Sequence, residues 1–394
     1  VVQEFFATSW NSFQTSYIGY SKAFISIEKM KRKTVIHTLY SGLGGHSSVV
    51  FPFLENSQSH VFEHVLVFYG VEPLADSTRE YVEKMTVEAR YLPKKRGQYR
   101  KPFRLFKKWL LEYQPTTIIV HNSELLIPAL KYRKSNSDCS VVYVEHQDQT
   151  KKGFVLKRLS KIAAQKAQAV VCLNSISKEK LMDNYRYHCP IHVIPNGINT
   201  DIFQHSEHKR AEIRVLGMAS RMVSGKDHPT LLKAFAQVLQ KHPHLRLKIA
   251  GDGPTLNTTK ELAKSLSIAG QVDFLGRINE ADMPQFYREI DLYIQASFAE
   301  TLCTSILQAF ATKTPVIASD ISNNRSLLDN GNRGFLYPSE NPTALAEQIM
   351  SVIGAPAAVE KSLRAGEMAI QRSFSSEKMT ERYIQLINGK FEQE

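Results

Sequence analysis

Short apolar runs rich in β-branched residues alternate with helix-length segments along almost the whole chain. In the first half the runs are TVIHTLY (34–40), HVLVFY (64–69), TTIIVH (116–121), SVVYVEH (140–146) and AVVCLN (169–174). In the second half they are IRVLGM (213–218), LRLKIAG (245–251), VDFLG (272–276), DLYIQAS (291–297), PVIAS (315–319) and GFLYP (334–338). Most are nearly continuous in apolar residues, the pattern of parallel strands buried on both faces. Strand–helix alternation predicts doubly wound α/β units with right-handed crossovers. These strands are too many for one comfortable sheet at this length, so the expectation is two facing Rossmann-like domains. The break is expected near VIPNGINTDIFQHSEHKRAEIRV, where Pro195, Asn196 and Gly197 supply turn chemistry before a charged stretch and a fresh strand. That reading assigns 1–200 to a first domain, 201–372 to a second, and 373–394 to a terminal helix crossing back to the first. Two such sheets leave a cleft at the carboxyl ends of their strands, where ligands bind.

Composition narrows the class. A chain of 394 residues with 43% hydrophobic and 22% charged residues is expected to be a soluble globular protein of two domains. No run approaches twenty apolar residues, so no membrane-spanning helix is expected. The opening stretch lacks the basic start and apolar core of a secretory signal, and residues 1–30 carry no motif to which a role attaches. Cys139, Cys172, Cys189 and Cys303 form no C-x-x-C pair and fit a reducing cytosol. A net charge of +12 points to an anionic partner: nucleic acid, acidic lipid or a phosphorylated small molecule.

Candidate chemistry clusters at the strand ends. YSGLGGHSS (40–48) is a glycine-rich turn in which Gly42, Gly44 and Gly45 let backbone approach a phosphate or a sugar; a ligand-free tight turn is the plain alternative. In ASRMVSGKDHPTLLKAFA (219–236), Arg221 and Lys226 follow a strand, one a bidentate donor and the other a point charge suited to a diphosphate. IAGDGP (249–254), with Gly251, and FLGRIN (274–279), with Arg277 and Ile278, are strand-to-turn segments whose backbone can face the cleft. AETLCTSILQAF (299–310) places Glu300 in a loop before a helix whose first amides, at Leu302, Cys303 and Thr304, form an anion site. Gln308 lies more than one turn into that helix and is expected to point a hydrogen-bonding group at the cleft. His146 ends a first-half strand. No Asp-x-Asp, H-E-x-x-H, Walker A or G-x-S-x-G occurs, so a metal site is not expected. Residues 90–109 hold nine cations and no acid, with Tyr91, Tyr99, Phe103, Phe106 and Trp109 interleaved. Lys151, Lys152, Lys157, Arg158, Lys161 and Lys166 form a second basic set. Both suit an anionic membrane surface, or nucleic-acid phosphates, against the plain alternative of a solvated face over core aromatics.

Taken in order from residue 34 to about 350, these segments resemble the retaining nucleotide-sugar glycosyltransferases of family four, which have the GT-B fold. PNGINTDIF and the long SFAE…PVIASD block are the specific matches. The resemblance implies an N-terminal acceptor-binding domain and a C-terminal nucleotide-sugar-binding domain. Arg221 and Lys226 would hold the donor diphosphate, with the amides near Cys303 and Thr304. The backbone at Arg277 and Ile278 would meet the base, Glu300 the transferred sugar's hydroxyls, and His146 the sugar from the first domain. Gly44 and Gly45 would let the diphosphate end pack closely. The family's second glutamate is Gln308 here, Thr301 and Cys303 stand where glycines are usual, and Ser322, Asn323 and Ser326 replace a Gly-Gly and a later Glu. A neutral amide accepts the ribose hydroxyls about half as strongly as a carboxylate, which implies a retained site with altered nucleotide preference.

The expected function is transfer of a sugar from a nucleoside-diphosphate donor, UDP favoured, to a hydroxyl of a glycan or lipid-linked glycan. It would need no cofactor or metal and would act in the cytoplasm, on the membrane's cytoplasmic face through residues 90–109, with nucleic acid not favoured as a partner. The alternative is a non-catalytic sugar-nucleotide-binding or partner subunit on the same fold.

Overall fold

The computed structural model describes residues 33–390 apart from 43–45, 58–61, 75, 96, 148–151 and 205–211. Residues 1–30, Gly44, Gly45 and Lys151, together with Arg96 of the basic stretch 90–109, lie outside the described residues.

The first half carries seven parallel strands: β1 (Lys33–Tyr40), β2 (Phe62–Gly70), β3 (Glu88–Pro93), β4 (Thr117–Val120), β5 (Ser140–Glu145), β6 (Ala169–Cys172) and β7 (Ile191–Val193). Their order across the sheet is β3-β2-β1-β4-β5-β6-β7. Between them run α1 (Ser47–Ser57), α2 (Asp76–Met85), α3 (Arg100–Tyr113), α4 (Leu126–Ser135), α5 (Phe154–Lys166) and α6 (Ser175–Asn184). The second half builds a six-stranded parallel sheet from β8 (Val215–Ala219), β9 (Arg246–Ala250), β10 (Val272–Gly276), β11 (Leu292–Gln295), β12 (Val316–Ser319) and β13 (Phe335–Tyr337), ordered β10-β9-β8-β11-β12-β13. Its helices are α7 (His228–Leu239), α8 (Leu256–Ser265), α9 (Met283–Glu289), α10 (Thr304–Ala311), α11 (Ser322–Leu327), α12 (Pro342–Ile353) and α13 (Pro356–Ala369). A π-helical turn, Ile370–Phe374, then leads into α14 (Ser376–Ile387). These are two Rossmann-like domains.

Central strands such as β4 (TIIV) and β12 (VIAS) are buried at every position, because helices cover both faces of each sheet. In the first domain α3, α4, α5 and α6 cover one face through Phe106, Leu110, Ala129, Ala163 and Leu181. The other face is closed by α1 and by α14, whose Met379 and Tyr383 pack with Val49 and Phe53. Burial of a side chain such as Met379 or Phe53 contributes on the order of 1.5–3 kcal/mol, which holds the last helix on the first domain. Two strands escape the apolar-run pattern. β3 is a sheet edge, largely solvent-facing, and reads as EARYLP, since an edge tolerates charge that a central strand does not. β7 is three residues long.

Helix starts follow capping chemistry. Asp227 accepts from the Thr230 amide at 3.1 Å and starts α7, and Asn174 accepts from the Ser177 amide at 2.7 Å and starts α6. The chain crosses between domains at two places that touch. Ile198 N–H donates to Phe374 O at 2.8 Å, and Ser376 N–H donates to Ile198 O at 2.9 Å. A Cβ on Gly197 would lie 2.5 Å from Ser375 O, so the turn residue read in the sequence is also what lets the two crossings pack.

Candidate active site

In parallel sheets every strand ends on the same side, so the loops after β8, β9, β10, β11 and β12 gather at one rim of the second domain. Three of these loops close on one another through Gly251. Ser220 N–H donates to Ala250 O at 3.0 Å, and Gly251 N–H donates to Gly276 O at 2.7 Å. Gly251 has φ +144°, and a Cβ there would sit 1.8 Å from Ser220 O; only glycine allows this approach. The contact brings the segment bearing Arg221 beside the one that leads to Arg277. Both of these side chains are exposed, and Ile278 turns inward onto the domain core.

Lys226 and Glu300 form a close ion pair, with side chains 18% and 13% exposed. The loops bearing them are paired as backbone, Phe298 N–H donating to Gly225 O at 3.2 Å. Gln295, at the end of β11, donates through Nε2 to the same Glu300 oxygen at 2.9 Å. Gln295 is itself held by the Tyr293 hydroxyl at 2.7 Å. Asn323 donates to the Glu300 carbonyl, and Asn174 of the first domain donates to Thr301 O and, at 3.3 Å, to Asn323 Oδ1. The asparagine that departs from the family pattern therefore braces the Glu300 loop and joins the two domains. Leu302 packs against apolar clusters of both domains. α10 begins immediately after, with Cys303 as its N-cap. Burial, then the nearby Glu300 carboxylate, pushes the Cys303 thiol up to about 12, so it stays neutral. The Ile306 amide in the first turn of α10 already donates to Cys303 O at 3.1 Å, and the turn opens directly after the loop that bears Glu300.

Gln308 differs from expectation. It is buried, and its Oε1 lies 3.1 Å from the Tyr287 hydroxyl, which also reaches Ser305 O at 2.9 Å. A helix of eight residues packed flat on the sheet turns this position toward α9, so the carbonyl expected in the cleft has a protein partner.

Across the cleft His146 follows β5, and its Nε2 lies 3.0 Å from His121 Nδ1 at the end of β4. His46, just past the glycine-rich turn, has its ring centroid 4.5 Å from that of His146 and accepts from the Tyr40 amide at 3.2 Å. Burial holds all three rings below the ordinary imidazole range, His46 at about 4 and the other two well below it, with mutual repulsion adding to the effect at His121 and His146. They are neutral donors and acceptors at pH 7. Behind His146, the Glu145 carboxylate is buried with Lys152 and accepts from Ser160 Oγ at 2.8 Å.

Sequence reasoning placed His146, Glu300, Lys226 and Arg221 at strand ends, read Asn323 only as a departure from the family pattern, and missed Gln295, Asn174, His46 and His121. His121 in IVHN satisfies the criterion that singled out His146, a histidine at the carboxyl end of a strand, whereas His46 in GGHSS lies past the glycine-rich turn, just before α1. Gln295 sits inside an apolar run and carries no comparable signal.

The basic stretch is reorganised by the fold. Phe103, Phe106 and Trp109 pack into the core under α3. Lys94 pairs with Glu124, Arg90 lies 3.0 Å from Glu88, and Lys152 is buried against Glu145. Lys94 and Lys152 are thereby withdrawn from the surface, and Arg90 is held in a surface pair. Exposed cations include Arg100, Lys101, Arg104, Lys107 and Lys108 on α3, Lys131 and Lys134 on the neighbouring α4, and Lys157, Arg158, Lys161 and Lys166 on α5. Glu112 is the one acid on those three helices, and Phe154 at the start of α5 is 79% exposed. Among the described residues no helix is long and apolar enough to cross a membrane, and no three His, Cys, Asp or Glu side chains are grouped as a metal would require.

Two family models match, one to each domain: "Glycosyltransferase Family 4" over residues 43–202 and "Glycosyl transferases group 1" over residues 199–372. The alpha-monoglucosyldiacylglycerol synthase of Streptococcus pneumoniae is 32% identical over 188 residues, 44% of this chain and 42% of that protein. The phosphatidyl-myo-inositol mannosyltransferase of Mycobacterium tuberculosis is 28% identical over 188 residues, 45% of this chain and 49% of that protein. The chain spans about half the length of the curated relatives it matches. Anabaena HepE, solved in complex with UDP-glucose, superposes with a TM-score of 0.78 at 17% identity over 90% of this chain and 99% of HepE.

Proposed function

The chain belongs to the family-4 glycosyltransferases of GT-B fold, and from that premise we propose that it moves a sugar from a nucleoside-diphosphate donor, UDP favoured, to an acceptor hydroxyl with retention of configuration and without a metal ion. The observation that carries this reading is the arrangement of Lys226, Glu300 and the α10 N-terminus on one rim, with Arg221 on the adjoining loop, opposite His146 on the other. The barrier to sugar transfer is charge separation as the diphosphate leaves, and fixed cations and amides at the diphosphate lower it. Lys226 would exchange Glu300 for the diphosphate. Glu300, kept in place by Gln295, would then accept hydrogen bonds from hydroxyls of the transferred sugar. Neutral His146 would meet that sugar from the first domain, and closure of the two domains would exclude water.

UDP is favoured because HepE binds UDP-glucose on this fold. A lipid-linked or surface-glycan acceptor is favoured by two curated relatives whose names carry diacylglycerol and phosphatidylinositol. It is also favoured by the cationic outer face of α3, α4 and α5, where each cation near an anionic bilayer contributes about 1 kcal/mol. This would set the protein on the cytoplasmic face of a membrane.

The test is a thermal-shift panel of UDP, GDP, ADP and their sugars, with and without magnesium, followed by turnover of the selected donor. A magnesium-independent shift with one nucleotide family, and turnover lost in Glu300→Ala, supports the proposal. Binding without turnover favours a non-catalytic sugar-nucleotide-binding subunit. No shift with any nucleotide overturns the donor site.

A further inference from the structure

A second concavity lies on the first domain's rim, away from the donor-side residues. It has a volume of about 310 Å³ and is lined by Tyr40, Tyr69, Lys94, Tyr99, Asn122 and Glu124, at the carboxyl ends of β1, β2, β3 and β4. We propose that this pocket seats a neutral sugar or polyol ring of the acceptor, a binding site that rests on the glycosyltransferase reading but is separate from the donor site.

The side chains are set in place before any ligand arrives. The Tyr69 hydroxyl donates to Glu124 Oε2 at 3.1 Å, and Lys94 pairs with the same oxygen. The Lys94 ammonium lies 5.0 Å from the Tyr69 ring centroid and 4.9 Å from that of Tyr99, so one cation is held between two aromatic faces. Asn122 donates to Tyr69 O at 3.1 Å and accepts from the Glu124 amide at 3.1 Å, which fixes the carboxylate's backbone. Among the described residues Glu124 Oε1 has no protein donor, and Tyr99 is 45% exposed, so a carboxylate oxygen and an aromatic face remain open.

Charge selects the ligand class. The Tyr40 phenol is hydrogen-bonded to Glu72 at the pocket's edge. Among the described residues, Glu124 in the lining and Glu72 at its edge thus stand against the ammonium of Lys94. Among the described residues that line it or stand at its edge this pocket has no positive excess, and a phosphate would meet an open carboxylate oxygen. A ring with several hydroxyls fits instead: hydroxyls donate to the carboxylate and accept from the ammonium, while the C–H faces lie on tyrosine rings. The volume is at the lower end of ligand pockets, enough for one ring rather than a nucleotide. Tyr40, which lines the pocket with its side chain, donates its amide to His46, the ring packed on His146. Tyr40 thus links the pocket to the histidine cluster of the first domain.

Saturation-transfer NMR on the full chain tests this, with methyl α-glucoside, methyl α-galactoside, methyl α-mannoside, N-acetylglucosamine and myo-inositol as probes, and inorganic phosphate as a competitor. At least one probe is expected to receive saturation from the wild type and to lose it, at least fivefold, in Tyr99→Ala and in Glu124→Gln. Phosphate should not compete, and the nucleotide-induced thermal shift should be the same in all three proteins. The absence of binding by every probe, an unchanged signal in both variants, or displacement by phosphate overturns the pocket assignment. Loss of the nucleotide shift in the wild type instead refutes the glycosyltransferase reading, so the two failures are distinct. Tyr99 is exposed, so its truncation leaves the core intact, and the melting temperature of each variant verifies folding.

Discussion

Replacing Glu300 with Gln removes the charge that holds Lys226 while keeping the side chain's shape and an oxygen for Gln295 Nε2 to donate to. The pair sits between two regimes, since its side chains are 18% and 13% exposed. Exposed pairs contribute about 0.2–1 kcal/mol, whereas breaking a fully buried pair costs about 3–5 kcal/mol. We take about 1–2 kcal/mol for this one, by interpolation between those limits. A diphosphate must displace Glu300 from Lys226 in order to bind, so the carboxylate competes with nucleotide. Glu300→Gln should then bind the free nucleoside diphosphate selected by the thermal-shift panel as tightly as the wild type, or up to about 5–30-fold more tightly. Its turnover should nevertheless fall sharply, because the sugar's hydroxyls lose a charged acceptor. Lys226→Met should do the reverse to binding, losing one charge-assisted contact of about 1.5–3 kcal/mol, or roughly 10–150-fold. Isothermal titration with nucleoside diphosphate, alongside initial rates with the donor sugar, reads both effects. If Glu300→Gln weakens nucleotide binding as much as Lys226→Met does, the carboxylate supports the cation instead of competing for it, and the reasoning is refuted.

Acidification should destabilise the fold before it titrates the carboxylates. Burial lowers His46, His64 and His228 to about 4 in the folded state, against about 6.5 in an unfolded chain. The unfolded state therefore binds more protons between these values, and stability present above pH 6.5 is lost as pH falls toward 4, at roughly 1.4 kcal/mol per pH unit for each proton. A melting temperature that is flat between pH 7 and 5 would contradict this. Gln308→Glu should lower stability by about 1–3 kcal/mol, because the single Tyr287 proton would move to a buried carboxylate and leave Ser305 O with a weaker partner; chemical denaturation measures it. Reversing Lys107, Lys157 and Lys161 to Glu should cut sedimentation with phosphatidylglycerol vesicles more than 100-fold, at about 1 kcal/mol per cation removed, and leave the melting temperature near wild type. Equal binding of wild type and variant would show that α3 and α5 do not face the bilayer.

The fold was largely legible because parallel strands buried on both sides are written as contiguous apolar runs, and each predicted run became a strand. β3 and β7 were not legible: an edge strand need not be apolar, and a three-residue strand is shorter than any periodicity. Part of the candidate site was legible for a related reason. Strand ends mark the rim of a doubly wound sheet, so His146, Arg221 and Glu300 could be placed there from position alone. His121 carried the same signal and went unread, while His46, past the glycine-rich turn, did not carry it.

Sequence by itself thus determined most of the segments that become strands, that they fall into two parallel sheets, and some of the polar residues that end up at the strands' carboxyl ends. Those follow from local hydrophobic pattern and from the single sense of a right-handed crossover. Only the tertiary structure decided which polar groups meet. Lys226 and Glu300 are 74 residues apart in sequence, and Asn174 reaches Thr301 across the domain boundary. Lys94 and Lys152, cations in basic stretches, fold into pairs with Glu124 and Glu145, while Lys107 and Lys157 on the outer helices stay exposed. The physical reason is that burial depends on the side chain's immediate neighbours in space. A charge leaves water only where an opposite charge is waiting, and no local pattern encodes where that partner will be.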